Sequence, residues 1–201
     1  YRRVLSRQPD GSVTICTLGF FSNLKALLAS APDRWSKLSG KDLVAKKVKL
    51  LVSMAGAFPN GYEFNVYWDA DAARTVADEW PTPIIFSGWE IGSEIFTGNA
   101  VRDLPGDISA NPIKAAYTLA LSEDDRPHGR ESWDQTAALV AIRGAAPWFT
   151  LRHGHMTVDG KGNNKWTDDP QGQHSYLVFA QPIKQVRDAI EALMTQMPRK
   201  R

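Results

Sequence analysis

The stretch of residues 60–69, NGYEFNVYWD, carries the richest group of polar side chains in this sequence. Glu63 and Asn65 stand two residues apart after a predicted strand, so their side chains point the same way if the backbone is extended. A carboxylate accepts hydrogen bonds and a carboxamide both donates and accepts, which suits a pair of neighbouring hydroxyl groups. Both residue types also form hydrogen bonds within loops, so spacing alone leaves a purely structural role open.

A second group lies in residues 131–136, ESWDQT, at the predicted start of a helix. Ser132 and Gln135 have the spacing of a capping box, which would place Asp134 in the first helical turn, where the helix dipole favours an anion. The functional alternative for Asp134 is a metal ligand or a stabiliser of positive charge. Trp133 is either a core aromatic residue or a platform on which a flat ligand stacks.

Residues 19–23, GFFSN, form a third candidate segment between a predicted strand and a predicted helix. Ser22 is suited to capping that helix through its hydroxyl group. A functional role here would use backbone groups, which residue types do not reveal.

The elements that must position these residues alternate between strand and helix. Short apolar runs at residues 12–18, 48–54 and 84–87 predict buried strands, and helical spacing follows each of them. This order is typical of parallel βαβ units, in which ligands bind beyond the carboxyl ends of the strands. The loops after Leu18, Met54 and Ser87 are therefore the expected places for chemistry.

The second half is predicted to hold helices over residues 112–121, 132–143 and 184–197. Residues 148–179 are interpreted as a peripheral β-hairpin, and the polar loop 122–130 as a mobile lid. The predicted fold is α/β: an open, mostly parallel Rossmann-like sheet flanked by helices, in a single domain over residues 1–201.

Composition narrows the functional classes. The 201 residues are 43% apolar and 23% charged, with 24 Lys and Arg against 22 Asp and Glu. This near balance argues against a nucleic-acid partner, and residues 199–201 are interpreted as a frayed tail. No run approaches the roughly 20 apolar residues that cross a bilayer, so no membrane partner is expected. With Cys16 as the single cysteine, an internal disulfide is excluded.

Several of these segments, in their order, resemble the nucleoside hydrolases of the inosine–uridine-preferring family. The Glu-Phe-Asn triplet at residues 63–65, followed by Asp-x-x-Ala-Ala from Asp69, is the most specific feature. The matching segments are residues 12–28, residues 50–73, residues 80–88, and Trp133 and Asp134 with Ala137. The resemblance covers residues 1–145 well and the remainder loosely.

The resemblance implies an activity and a cofactor. Members of this family cleave the N-glycosidic bond of ribonucleosides through an oxocarbenium-like state, using a water bound to Ca²⁺. It implies that the Ser22 carbonyl and the Asp134 carboxylate ligate Ca²⁺. It further implies that Glu63 and Asn65 hydrogen-bond the ribose, with Asn60 as the counterpart of another ribose-binding asparagine. Trp133 would stack on the base, as in the purine-leaning branch, and a homo-oligomer is also implied.

Three features depart from the family pattern. The loop before Glu63 is shorter than in many members, and Trp133 stands where many have a histidine near the leaving group. The Asp-rich motif that supplies the general base and further calcium ligands would lie upstream of Tyr1. We therefore expect the sequence to be an N-terminally truncated piece, without a catalytic base of its own.

This third departure sets the expectations for the chain by itself. We expect it to bind calcium weakly, to show no hydrolase activity, and to be poorly soluble because its sheet has an exposed edge. The alternative function is that of a catalytically degenerate protein that binds nucleosides or ribose.

Overall fold

The computed structural model describes residues 1–121, 123 and 127–196. Within these residues the strands are β1 (Val13–Thr17), β2 (Val48–Met54), β3 (Asn60–Tyr62), β4 (Ile84–Ser87), β5 (Phe96–Thr97), β6 (Arg130–Glu131), β7 (Phe149–Val158), β8 (Asn163–Asp168) and β9 (His174–Phe179). The α-helices are α1 (Arg2–Leu5), α2 (Ser22–Leu28), α3 (Gly40–Lys47), α4 (Phe64–Tyr67), α5 (Ala70–Glu79), α6 (Trp89–Gly92), α7 (Asn99–Arg102), α8 (Pro112–Ala120), α9 (Trp133–Arg143) and α10 (Ile183–Met194).

The strands form a mixed sheet with a parallel part and an antiparallel part. In the described residues its order is β1-β2-β4-β9-β7-β8-β3, and β5 and β6 form a small second sheet. The neighbours from β1 to β9 are parallel, whereas β7 runs antiparallel to both β9 and β8. The predicted α/β class is confirmed, with β1 lying at one edge of the large sheet.

Each face of the large sheet is covered by its own layer of helices. Leu51 of β2 belongs to the core cluster that contains the apolar residues of α2, α3 and α5. Its neighbour Val52 belongs to the cluster that contains residues of α6, α9 and α10. Successive side chains of a strand point to opposite faces, so a strand covered on both sides reads as a continuous apolar run.

The start of α5 follows a local rule that the sequence predicts. Asp69 is its N-cap residue, and the carboxylate accepts a hydrogen bond from the Ala72 backbone nitrogen at 3.1 Å. The helix ends before Trp80, and Pro81 and Pro83 follow. This cap fixes the direction of the chain directly after the Glu-Phe-Asn triplet.

The prediction of a peripheral hairpin over residues 148–179 is wrong in its placement. The segment holds three strands, and β9 pairs in parallel with β4, so these strands continue the main sheet. The physical reason is burial: the first four residues of β9 are buried, which requires cover on both faces.

Two other predicted segments lie wholly or partly outside the described residues. The predicted lid over residues 122–130 includes Ser122 and residues 124–126, which the structure does not describe, and the predicted tail at residues 199–201 lies wholly outside the described residues. Among the helices of the described part, none has the length and apolar character needed to span a membrane.

Candidate nucleoside-binding cleft

A cleft of about 430 Å³ opens at the carboxyl ends of the first parallel strands. Its lining includes Leu18, directly after β1, and Met54, the last residue of β2. This is the edge at which the strand order predicts a ligand site. The complete lining is Leu18, Met54, Tyr62, Glu63, Phe64, Asn65, Trp89, Trp133 and Asp134.

Four of the predicted site residues come together in this cleft: Glu63, Asn65, Trp133 and Asp134. They approach it from two sides, since the first two flank the start of α4 and the last two begin α9. A separation of about seventy residues in the chain is thus closed by the fold. The cleft combines two carboxylates, one carboxamide and several aromatic walls.

Glu63 is buried and held by two backbone donors. It is the N-cap residue of α4, with an extended backbone, and Oε1 accepts a hydrogen bond from the Asn65 nitrogen at 2.9 Å. Its other oxygen, Oε2, accepts one from the Gly56 nitrogen at 3.0 Å. The structural role of Glu63 in hydrogen bonding within its loop, one of the two roles that the sequence left open, is therefore confirmed. The same side chain also lines the cleft.

The burial of Glu63 has an electrostatic consequence. Burial raises the pKa of its carboxyl group, and the nearby Asp134 charge acts in the same direction. The hydrogen bonds from the Asn65 and Gly56 nitrogens, together with the nearby Val66 N–H group, lower the pKa in part. The desolvated carboxylate is therefore a strong hydrogen-bond acceptor.

Asn65 is tied to the end of β2. Its Nδ2 donates to the Met54 carbonyl oxygen at 3.0 Å and approaches the Met54 sulfur at 3.2 Å. The side chain is buried, so these contacts fix its rotamer. Asn65 and Glu63 are consequently placed by the same loop between β2 and α4.

Asp134 lacks the hydrogen bonds that fix Glu63. It lies in the first turn of α9, it is exposed to the cleft, and no hydrogen bond to its carboxylate is found within the described residues. The surrounding protein still removes part of its hydration, and this partial burial raises the pKa of its carboxyl group. A partly desolvated carboxylate without a partner is stabilised when a cation or a hydroxyl donor binds to it.

The capping box predicted around Asp134 is wrong. Ser132 is the N-cap residue, but its hydroxyl lies 2.6 Å from the Thr97 hydroxyl and makes no capping hydrogen bond. The Gln135 amide donates to the Tyr117 hydroxyl instead of returning to the helix start. Contacts with distant residues replace the capping box, but Asp134 still lies in the first turn of α9, where the helix dipole favours an anion as predicted.

Trp133 forms part of the cleft wall and is partly exposed. Its indole Nε1 donates to the Trp89 carbonyl oxygen at 3.0 Å, which fixes the ring against α6. Gly92 permits this approach, because a Cβ atom there would lie 2.4 Å from the Trp133 Cα. The ring is thus a wall of the cleft and at the same time a packing contact between two helices.

Ser22 and Asn60 lie outside the set of residues that line the cleft in the described part of the chain. Ser22 is the first residue of α2, exposed, and Phe21 is the N-cap residue without a side-chain cap, so the predicted capping role of Ser22 is wrong. Asn60 belongs to β3 and lines a separate cleft with Asn164 and Lys165. Their roles toward calcium and ribose stay predictions.

Sequence reasoning missed the apolar walls and one carboxylate. Trp89, Tyr62 and Phe64 line the cleft and are about half exposed. Their signal was available, because they stand in or beside the loops that follow the parallel strands. The carboxylate is Glu90 of α6, whose Oε2 accepts a hydrogen bond from the Phe58 nitrogen at 3.0 Å.

A calcium ion in a protein takes about 6–8 oxygen ligands, several of them carboxylates. Within the described residues, no group of three or more His, Cys, Asp or Glu side chains is arranged to hold a metal. Asp134 supplies one carboxylate that has no hydrogen-bond partner among the described residues. The Glu63 carboxylate already accepts hydrogen bonds from two backbone nitrogens. These residues do not by themselves fit a complete calcium site.

The chain is an α/β protein with a cleft at the carboxyl ends of its parallel strands. A model of the family "Inosine-uridine preferring nucleoside hydrolase" matches residues 1–177, and the chain belongs to that family. A relative in Schizosaccharomyces pombe, an uncharacterized protein, is 31% identical over 123 residues, which are 56% of this chain and 36% of the relative.

Solved structures show the same fold. The plant nucleoside hydrolase PpNRh1 is 21% identical with a TM-score of 0.67, over 96% of this chain and 65% of that protein. The purine-preferring ribonucleoside hydrolase from Gardnerella vaginalis is 17% identical with a TM-score of 0.66, again over 96% and 65%. The chain therefore spans just under two thirds of these structures and about a third of the yeast relative.

Proposed function

We propose that this protein hydrolyses the N-glycosidic bond of ribonucleosides, releasing ribose and the free base, and that the cleft holds the nucleoside. The single observation that carries the proposal is the convergence of Glu63, Asn65, Trp133 and Asp134 on one cleft at the strand ends. Family membership supports the same activity.

The side chains present can bind both parts of a nucleoside. Each Glu63 oxygen accepts one backbone hydrogen bond and retains a lone pair for a ribose hydroxyl. Among the described residues, the bonds of the Asn65 side chain use Nδ2, which leaves Oδ1 for a second hydroxyl. The Trp133 ring lines the same cleft and would stack on the base. Asn60 is retained as a weaker candidate for ribose binding.

The proposed cofactor is Ca²⁺, with Asp134 and the Ser22 carbonyl as two of its ligands. When bound, calcium would hold a water and the ribose hydroxyls. Because the described donors fall short of a calcium coordination shell, we propose that the 201-residue chain alone binds calcium weakly and does not turn over. The homo-oligomer implied by the family also stays a prediction.

A second candidate function is nucleoside or ribose binding without catalysis. The observation that favours it is the same shortage of metal ligands within the described residues. Both functions require the ribose contacts of Glu63 and Asn65, so they differ only in turnover.

The experiment that tests the proposal measures binding and turnover on the same purified chain. Inosine binding is followed by calorimetry, and ribose release from inosine is followed with a reducing-sugar assay, with CaCl₂ or with a chelator. We expect saturable inosine binding that weakens at least about tenfold in Asn65→Ala, because a buried hydrogen-bonding partner of the ribose is lost. Asn163→Ala, an exposed asparagine outside the cleft, is the matched control.

The outcomes separate the two functions and test both. Absence of inosine binding to the folded wild-type chain would contradict both candidates. Calcium-dependent ribose release by the chain would contradict the expected inactivity and establish the enzyme. Binding without turnover supports the ribose site. Repeating the assay on a protein expressed from a longer coding sequence then decides between enzyme and binding protein.

A further inference from the structure

The loop over residues 55–59 is held from three directions by side chains of other elements. The Gly56 nitrogen donates to Glu63 Oε2, and the Phe58 nitrogen donates to Glu90 Oε2, each at 3.0 Å. Between them, both backbone polar groups of Ala57 are bound by the side chain of Asn164. This loop connects the end of β2 to β3, and Glu63 directly follows β3. The loop therefore helps to determine the position of Glu63.

Asn164 makes the longest-range of these contacts. Its Oδ1 accepts from the Ala57 nitrogen at 3.0 Å, and its Nδ2 donates to the Ala57 oxygen at 2.8 Å, across 107 residues of sequence. The side chain is 2% exposed, so water cannot replace either bond readily. An amide that pairs with one residue's N–H and C=O reproduces the hydrogen bonding of a neighbouring strand.

The contact reaches Glu63 through one intervening residue. Gly56 precedes Ala57 in the chain, has φ +80°, and gives Glu63 one of its two hydrogen bonds. The far end of the loop is attached to the same strand, because β3 pairs antiparallel with β8 and the Trp166 nitrogen donates to the Pro59 oxygen at 2.9 Å. Strand β8 thus anchors the loop at Ala57 and at its far end, where Pro59 leads into β3 and β3 directly precedes Glu63.

We propose that Asn164 is a positioning residue of the cleft: it fixes Ala57 and Gly56, and through them orients the Glu63 carboxylate toward the ligand. This gives strand β8, which does not line the cleft among the described residues, a role in the site. The structural half of the inference stands on hydrogen bonds alone. The half that concerns the ligand rests on the proposed function.

The chain contains a matched control beside Asn164. Asn163 precedes it on β8, is exposed, and its Nδ2 bonds to Asp159 in the adjoining turn rather than to the loop. Asn163→Ala removes the same atoms from the same strand without touching Ala57. Any effect common to both variants therefore reflects β8 and not the frame around Glu63.

The first experiment compares Asn164→Ala and Asn163→Ala by NMR and calorimetry. The amide resonances of Gly56 and Asn65 report the two donors to Glu63 and need no ligand. We expect both resonances to shift in Asn164→Ala and inosine affinity to fall at least about tenfold. In Asn163→Ala the two resonances stay in place and the affinity stays within about twofold.

A second variant keeps the inference testable if Asn164→Ala does not fold. In Asn164→Asp, a protonated carboxyl group donates to the Ala57 oxygen and accepts from its nitrogen, as the amide does, whereas the carboxylate repels that oxygen. Position 164 is 2% exposed, so burial raises the pKa of the new carboxyl group and favours its protonated form. We therefore expect near wild-type Gly56 and Asn65 resonances and affinity at pH 5, and loss of both at pH 8. The charged groups near this loop and strand are Glu63, Glu90, Asp159 and Lys165, and all four are also present in wild type and in Asn163→Asp. Both of those proteins are measured at the same pH values, so that any effect of these four groups is subtracted.

The results separate this inference from the proposed function. Unchanged Gly56 and Asn65 resonances in Asn164→Ala, or no rescue of Asn164→Asp at pH 5, overturn the positioning role whatever the affinity. Shifted resonances in a chain whose wild type does not bind inosine retain the positioning role and remove the proposed ligand. An equal loss of affinity in Asn163→Ala also overturns the specific role of Asn164.

Discussion

The two sides of the cleft carry carboxylates in opposite situations. Glu63 is buried, caps a helix and is bound by two backbone nitrogens, and Asn164 from far along the chain binds Ala57 beside one of them. Asp134 is exposed at the start of α9 and has no hydrogen-bond partner within the described residues. The Glu63 carboxylate is thus fixed by the protein itself, whereas the Asp134 carboxylate is left available for a ligand.

The largest expected difference between the two sides concerns stability. Glu63→Ala removes a helix cap, worth about 1 kcal/mol, and leaves the buried Gly56 nitrogen without an acceptor, which costs about 2 kcal/mol more. Urea denaturation at pH 7 should show the free energy of unfolding reduced by about 3 kcal/mol. Glu79→Ala, an exposed glutamate near Lys41, is the control. A loss below about 1 kcal/mol would mean that the loop over residues 55–59 and the start of α4 do not depend on Glu63.

Gly92→Ala tests the packing beneath the Asp134 side. The added methyl group would lie 2.4 Å from the Trp133 Cα, so α6 and α9 must move apart. Overpacking of this kind costs typically about 2 kcal/mol. Thermal unfolding should show the loss, and inosine binding should weaken because Trp133 moves. Gly19→Ala, where the added atom meets nothing within 4 Å, is the matched control. Equal stability of both variants would contradict the close contact.

Asp134→Asn should change stability by no more than about 0.5 kcal/mol, since no hydrogen bond is lost. Its effect should appear instead in cation binding, measured by calorimetric titration with CaCl₂. The weak calcium binding of the wild-type chain should disappear in the variant. A large loss of stability would show that Asp134 has a structural partner after all, and the contrast with Glu63 would fail.

The smallest expected effect is in the pH dependence of stability, and it has opposite signs in two regions. Burial raises the pKa of Glu90, so the folded state holds that proton more tightly than the unfolded state. Stability from this group is present below about pH 4.5 and is lost as pH rises through the folded pKa. Glu90→Gln should therefore gain stability relative to wild type as pH rises.

The opposite case is Asp33, whose pKa is lowered to about 2 by its hydrogen bond with Arg2. Its contribution is present above about pH 4 and lost as pH falls through 2, so Asp33→Asn should lose stability relative to wild type only above that window. Urea midpoints from pH 2 to 8 measure both differences. His174, whose pKa burial lowers to about 4, is common to all the proteins and cancels. Parallel curves for the three proteins would contradict both assignments.

Part of this arrangement could be predicted from residue order. The apolar runs of β1, β2 and β4 and the Asp69 cap are local patterns, and parallel strands bring their carboxyl ends to one edge. The convergence of Glu63 with Asp134 therefore followed from element order together with the family resemblance.

The rest depended on contacts between distant residues. Ser132 and Ser87 each have the spacing of a capping box, but the Ser132 hydroxyl pairs with Thr97 and α6 begins after Gly88. The insertion of β9 beside β4 is a pairing across about ninety residues. No local pattern encodes such a partner, so neither the frame around Glu63 nor the position of β7–β9 could be predicted.

The distance in sequence between Ala57 and Asn164 also has a consequence for the order of events during synthesis. The two residues that close the loop are separated by 107 positions, and loop closure over that span is slow compared with the formation of helices. The emerging chain will have made β1, β2 and the Glu-Phe-Asn triplet long before β8 leaves the ribosome. Until then the backbone of the loop lacks its partner, so the cleft wall that carries Glu63 is among the last parts of the molecule to take its shape.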